Sequence, residues 1–219
     1  MKNVQDHAED FDRWAPTYDR SPLQRFFFHP VHRRILRLLD PRPGERFLEL
    51  GSGTGNLAMA AAARTGLAVG VDPSPRMVEL ATRKLGELPP GARARFLVGV
   101  AEALPLKDDT FDLAATSISM HHWVDLEGGF RQIRRVVRPG GRVLVADVAP
   151  RGYGKAIAMA TGFWQSHQGD VWDPRELAGT LELAGFTRIR LWNRGPWSRL
   201  VAFVAAEVPR DKRSLEGRS

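Results

Sequence analysis

The chain has 219 residues, enough for one domain with a substantial core but too few for two comfortable ones. It is 43% hydrophobic and 26% charged, with no apolar run near the roughly 20 residues of a membrane span and no cysteine. Disulfides, cysteine metal sites and thiol nucleophiles are therefore excluded, while a net charge of +7 leaves acidic partners and nucleic acid open.

The opening stretch Met1-Lys2-Asn3-Val4-Gln5-Asp6-His7 is polar and acidic where a secretory leader is basic and then apolar, so a cytoplasmic location is expected. Residues 1–40 read as an N-terminal helical cap. Val31, Ile35, Leu38 and Leu39 make one helical face, interrupted upstream by Pro30. A domain over 41–208 follows. Arg46–Leu50 is a short apolar strand that runs into Gly51-Ser52-Gly53-Thr54-Gly55 and an alanine-rich helix, Asn56–Arg64. Leu67–Val71 is a second strand. Ser74-Pro75 then opens a helix as N-cap and first residue, with Met77, Leu80, Ala81, Lys84 and Leu85 on one face.

Arg95–Gly99 and Phe111–Ile118 are the next two strands. Leu126, Phe130, Ile133 and Val137 mark a helix that Pro139-Gly140-Gly141 stops, and Arg142–Asp147 is a fifth strand. Strands alternating with helices predict an α/β protein with a mostly parallel sheet covered on both faces. Periodicity fades over 150–172, which holds Phe163, Trp164, His167 and Trp172. Asp173-Pro174-Arg175-Glu176 reads as a capping box before a helix face of Leu177, Leu181 and Ala184, and Gly185 ends it. Phe186–Trp192 and Leu200–Ala206 complete seven strands. Their link through Gly195-Pro196 makes the last one antiparallel, and the tail from Pro209 is polar. The arginines are dispersed: Arg131, Arg134, Arg135 and Arg138 on one helix, Arg188, Arg190, Arg194 and Arg199 near the end. That distribution is the pattern of a solvated surface.

Glycines between a strand and a helix let backbone approach a ligand, and the helix start offers unpaired N–H groups. Glu49 lies two residues before Gly51, and Asp72 ends the second strand about twenty residues on, where a carboxylate can accept ribose hydroxyls. A dinucleotide fold would show G-x-G-x-x-G. This chain has Gly51, Gly53 and Gly55, a shorter G-x-G-x-G, with an acid placed to suit a cationic ligand, so S-adenosylmethionine (SAM) is favoured over NAD.

The segment Leu48-Glu49-Leu50-Gly51-Ser52-Gly53-Thr54-Gly55 resembles motif I of the class I SAM-dependent methyltransferases, in particular the ubiquinone/menaquinone-biosynthesis type and its small-molecule relatives. Val71–Met77, Ala101–Leu106, Phe111-Asp112 and Val136–Gly141 match further motifs in order, and Phe11–Asp19 resembles the segment that folds over SAM. The resemblance implies a Rossmann-like fold and these roles: Gly51–Gly53 backbone with Ser52, and Glu49, for the methionine moiety; Asp72 for the ribose; Val100-Ala101 backbone for the adenine edge. Ser117 lies beside the cofactor, and Tyr18 closes the pocket. Val100 departs from the Asp or Asn usual in this group, which leaves adenine to backbone and packing.

His121 and His122 follow the fourth strand at the edge where the methyl group should lie. One of them could deprotonate or orient the acceptor, or His121-His122-Trp123 could be a packing element, the reading that weighs slightly more. Asp147, at the end of strand five, is a hydrogen-bonding group or a substrate contact, and no metal site is expected. Residues 150–172 stand where the family inserts acceptor-binding structure. Ser117–Trp123 lacks the Asn/Asp-Pro-Pro-aromatic run of amine-methylating nucleobase enzymes. The expectation is transfer of a methyl group from SAM to a small, aromatic or partly apolar molecule. Methylation of RNA or protein, and a non-catalytic module with a vestigial SAM pocket, stand as alternatives.

Overall fold

The computed structural model describes residues 4–148, 173–192 and 200–211. The apolar runs form β1 (Arg46–Leu50), β2 (Leu67–Asp72), β3 (Arg93–Val98), β4 (Phe111–Ser117), β5 (Val137–Val148), β6 (Thr187–Trp192) and β7 (Val201–Glu207). They pair into one seven-stranded sheet of order β3-β2-β1-β4-β5-β7-β6. The first five strands are mutually parallel, whereas β7 runs antiparallel to both β5 and β6. The Rossmann-like α/β expectation and its antiparallel last strand are thus borne out.

The described helices are α1 (Val4–Tyr18), α2 (His29–Leu39), α3 (Asn56–Thr65), α4 (Pro75–Arg83), α5 (Leu126–Val136) and α6 (Pro174–Leu183). Side chains on a strand alternate between faces, so central β1 feeds two cores. Phe47 joins Val31, Ile35, Leu57 and Ala58 on one side, while Leu48 and Leu50 join Phe130, Ile133, Leu177 and Leu181 on the other. Ser74 caps α4, its hydroxyl accepting from Met77 N at 3.0 Å, as the sequence predicts. Asp173 caps α6 by accepting from Arg175 N at 2.7 Å.

Two local expectations change. Pro30 does not interrupt the N-terminal helix: it occupies the first turn of α2, and the chain before it widens into a π-helical turn, Gln24–Phe28. A wider turn relieves the clash between a proline ring and the preceding carbonyls. Helix α5 stops at Val136, before the Pro-Gly-Gly run, because Asp109 N and Thr110 N, in the turn that leads into β4, donate to the Arg135 and Val136 carbonyls. Val137 and Arg138 therefore belong to β5, and Pro139-Gly140-Gly141 becomes a register shift within that strand. The expected acceptor insertion at 150–172, the Gly195-Pro196 link and the tail beyond Asp211 lie outside the described residues.

Candidate active site

Strands β1, β2 and β4 end on one edge of the sheet, and the loops leaving them enclose a cleft. Gly51 N and Ser52 N both donate to Val71 O, at 2.8 and 3.1 Å, which turns the chain sharply after β1. Gly51 has φ +66°, and a Cβ there would fall 2.2 Å from Ser119 Oγ. That hydroxyl is fixed by Thr116 Oγ at 2.7 Å and donates to Leu50 O at 3.1 Å. Glycine at 51 is thus required both by its dihedral and by the close approach of the β4 loop.

Asp72 closes the other side. Its Oδ2 accepts from Gly53 N at 2.7 Å and its Oδ1 from Ser74 N at 2.9 Å. Each oxygen keeps a second lone pair, and the residue borders the cleft. Burial raises the carboxyl to about 6, against the pull of the two N–H groups and with a small push from Asp12.

Of the residues singled out from sequence, Tyr18, Gly51, Gly53, Asp72, Val100, Ala101, Ser117 and His122 border the cleft, beside Phe11, Glu102, Ser119 and Trp123. The Ser117 hydroxyl is buried there without a hydrogen-bond partner, so it can serve a ligand. Burial pushes the Tyr18 hydroxyl well above its ordinary range, which keeps it a neutral hydrogen-bonding group.

Glu49, Ser52 and His121 are not on the cleft wall. Glu49 is buried and accepts from Ala58 N at 2.8 Å, so it satisfies an open N–H in the first turn of α3. Burial raises its carboxyl well above the usual range. Ser52 turns its hydroxyl towards β2, where a Cβ on Gly70 would lie 2.7 Å from it. His121 is buried, its Nδ1 2.7 Å from Asp147 Oδ1, while Asp147 Oδ2 accepts from His121 N at 3.1 Å. His121 is thus held beside Asp147, whereas His122 borders the cleft. The His122 ring lies edge-on to Phe11, centroids 5.0 Å apart.

Several contributors lie inside the matched segments, but nothing in the sequence says which partners they take. Asp12 on α1 accepts from the Ser74 hydroxyl and from Arg76 N, seating α1 on the start of α4. Asp19 accepts from Thr54 Oγ1 at 2.6 Å and from Lys84 Nζ at 2.8 Å, fastening the N-terminal segment to the glycine loop. Glu102 accepts from Val124 N at 2.8 Å and Asp125 N at 3.2 Å, tying the β3 and β4 loops together across the cleft. These partners are 22 to 65 residues apart, beyond any local pattern. Among the described residues no group of three His, Asp or Glu could hold a metal ion, and no helix is long and apolar enough to cross a membrane.

A parallel sheet with an antiparallel β7, a glycine turn after β1 and a carboxylate closing β2 is the framework of the Rossmann-like methyltransferases. Residues 48–145 match the family described as a methyltransferase domain, so the class recognised from the motifs is borne out. The chain is 34% identical over 146 residues to the ubiquinone/menaquinone biosynthesis C-methyltransferase of Geotalea daltonii, covering 64% of this chain and 61% of that protein. It is 36% identical over 148 residues to the nocamycin O-methyltransferase of Saccharothrix syringae, covering 64% and 50%. The chain therefore spans between half and two thirds of the length of these relatives. A SAM-dependent methyltransferase structure from Aquifex aeolicus superposes with TM-score 0.68 at 19% identity over 95% of this chain and all of that one, a likeness of fold.

Proposed function

We propose that the chain is a SAM-dependent methyltransferase acting on a small, aromatic or partly apolar acceptor. The observation that carries this is the Asp72 carboxylate on the cleft wall, held by Gly53 N and Ser74 N with acceptor capacity left over. It shares the cleft wall with Gly51 and Gly53 of the turn after β1. In this reading Asp72 takes the ribose hydroxyls, the Gly51–Gly53 backbone takes the methionine moiety, and Val100-Ala101 meet the adenine edge. Ser117 and Tyr18 border the cofactor. Glu49 and Ser52 act at one remove, by fixing α3 and the loop.

Bound SAM supplies an already activated methyl group. The chain's part is to hold the acceptor atom in line with it, which can account for most of the acceleration. An acceptor that arrives protonated also needs a base. His122 is on the cleft wall for that role, and His121, clamped by Asp147, supports it from behind. Phe11 and Tyr18 of α1 close the cleft from the N-terminal side, and 150–172 are assigned the further acceptor contacts, in a cytoplasmic protein. The relatives named for C- and O-methylation leave the acceptor atom to experiment.

Calorimetric titration with SAM and S-adenosylhomocysteine should give one site per chain. A panel of phenolic and quinone-like acceptors, read by S-adenosylhomocysteine release, should then give turnover. A folded protein that binds neither compound would overturn the proposal and favour a vestigial pocket. Turnover confined to RNA or protein acceptors would overturn the acceptor class.

A further inference from the structure

The arginines of this protein fall into two populations. Around α5 they are paired with acids: Arg131 with Asp125 and Glu127, Arg135 with Asp108, Arg138 with Asp112, and Arg142 with Glu45. On the N-terminal helical stretch no acid among the described residues is paired with Arg25, Arg33 or Arg37. Between Arg20 and Leu39 there is no acidic residue, but there are five arginines and two histidines. Arg25, His29, Arg33 and Arg37 recur every fourth residue and are all exposed, a row about 18 Å long at helical rise. Arg33 and Arg37 are like charges four residues apart and repel, so the helix carries this pair against its own stability. Phe26 stands beside it, 67% exposed, with the Arg25 guanidinium 5.6 Å over its ring. Pro22, one turn earlier, is exposed as well.

We infer that this face of the Gln24–Leu39 stretch is a docking surface for an anionic phospholipid bilayer. An exposed row of three guanidinium groups with no acidic partner among the described residues suits an array of lipid phosphates, and an exposed phenyl ring beside a cation suits the headgroup boundary. Single-stranded nucleic acid is the other polyanion to consider, but it is held on open aromatic faces. Here one face of Phe26 is covered by its neighbouring guanidinium. The row starts near the cleft, since Phe28 packs on cleft-lining Tyr18 with centroids 5.7 Å apart. Docking would bring the cleft to the membrane surface, where a partly apolar acceptor concentrates. Only that consequence rests on the proposed function; the docking itself does not.

The test is co-sedimentation of the full chain with vesicles of neutral phosphatidylcholine, or of phosphatidylcholine with about a third phosphatidylglycerol, at low and physiological salt. Binding should appear on the anionic vesicles alone and weaken with salt. At about fivefold per arginine, the triple variant Arg25→Gln/Arg33→Gln/Arg37→Gln should lose about 100-fold in partitioning. Phe26→Ser should lose several-fold without changing the salt dependence. A charge-matched control, Arg64→Gln/Arg93→Gln/Arg95→Gln, removes three exposed arginines elsewhere and should lose far less. Equal losses in the two triple variants would reduce the effect to net charge and overturn the inference. So would binding to neutral vesicles, or displacement from anionic vesicles by an equal charge of poly-uridylate. The substituted positions are exposed, and unchanged thermal unfolding would confirm intact variants.

Discussion

Replacing Asp72 by asparagine separates the electrostatics of the cleft from its shape. The carboxyl titrates at about 6 in the folded protein against an ordinary 3.8, chiefly because it is buried. The folded state therefore binds this proton more tightly than the unfolded chain does. The stability it contributes is fully present below pH 3.8 and lost as the pH rises through 6. At about 1.4 kcal/mol per pH unit, the ionised group costs the folded protein about 3 kcal/mol at pH 7.5. Asparagine removes that cost. It also turns an amide N–H towards Gly53 N or Ser74 N, which leaves one backbone donor without an acceptor and costs about 1–3 kcal/mol at every pH. In urea unfolding, Asp72→Asn should be the less stable protein at pH 4.5. The gap should close or reverse by about 2–3 kcal/mol at pH 7.5. Over the same change SAM affinity should fall by about 1.5–3 kcal/mol, as the charged acceptor for the ribose is lost. Stability differences that stay parallel across pH would refute the electrostatic reasoning. Unchanged affinity in the folded variant would refute the placement of the site.

For an acidic acceptor, His122→Gln should lower turnover by about 10²–10⁴-fold with thermal stability unchanged, and higher pH should restore part of the rate. His121→Gln should instead lower the melting temperature while turnover per folded molecule stays within a few-fold; the reverse pattern in the two variants would exchange their roles. Val100→Asp should leave SAM affinity unchanged or improve it by about 1–2 kcal/mol, because a carboxylate would meet the adenine amino group. A large loss in calorimetry would mean that the cleft is built around an apolar wall at this position. Gly51→Ala should destabilise by about 2–4 kcal/mol, combining positive-φ strain with the clash on Ser119. Adding Ser119→Gly should recover part of that in chemical denaturation, and no recovery would show that the clash is not the cause.

The alternation of apolar strands with amphipathic helices was legible along the chain because each depends on a period of two or of about four residues. The glycine turn, Asp72 and the Ser74 cap were legible for the same reason: a dihedral, a strand end and a cap are local demands on residue type. What lay beyond sequence was the direction in which side chains of one short segment point. Glu49 and Asp72 look alike as acids at strand ends, yet Glu49 turns under the loop to Ala58 N while Asp72 reaches the cleft. Two adjacent histidines likewise part company, His121 drawn to Asp147 across 26 residues and His122 left on the wall. The stop of α5 at Val136 was decided by the N–H groups of Asp109 and Thr110 just before β4, not by the Pro-Gly-Gly run that the sequence predicts as its end. Asp12, Asp19 and Glu102 act on partners on other elements, and such pairings exist only once the sheet has gathered its loops at one edge. Local chemistry is written in residue type and spacing, whereas the sharing of hydrogen bonds between distant segments is fixed only by packing.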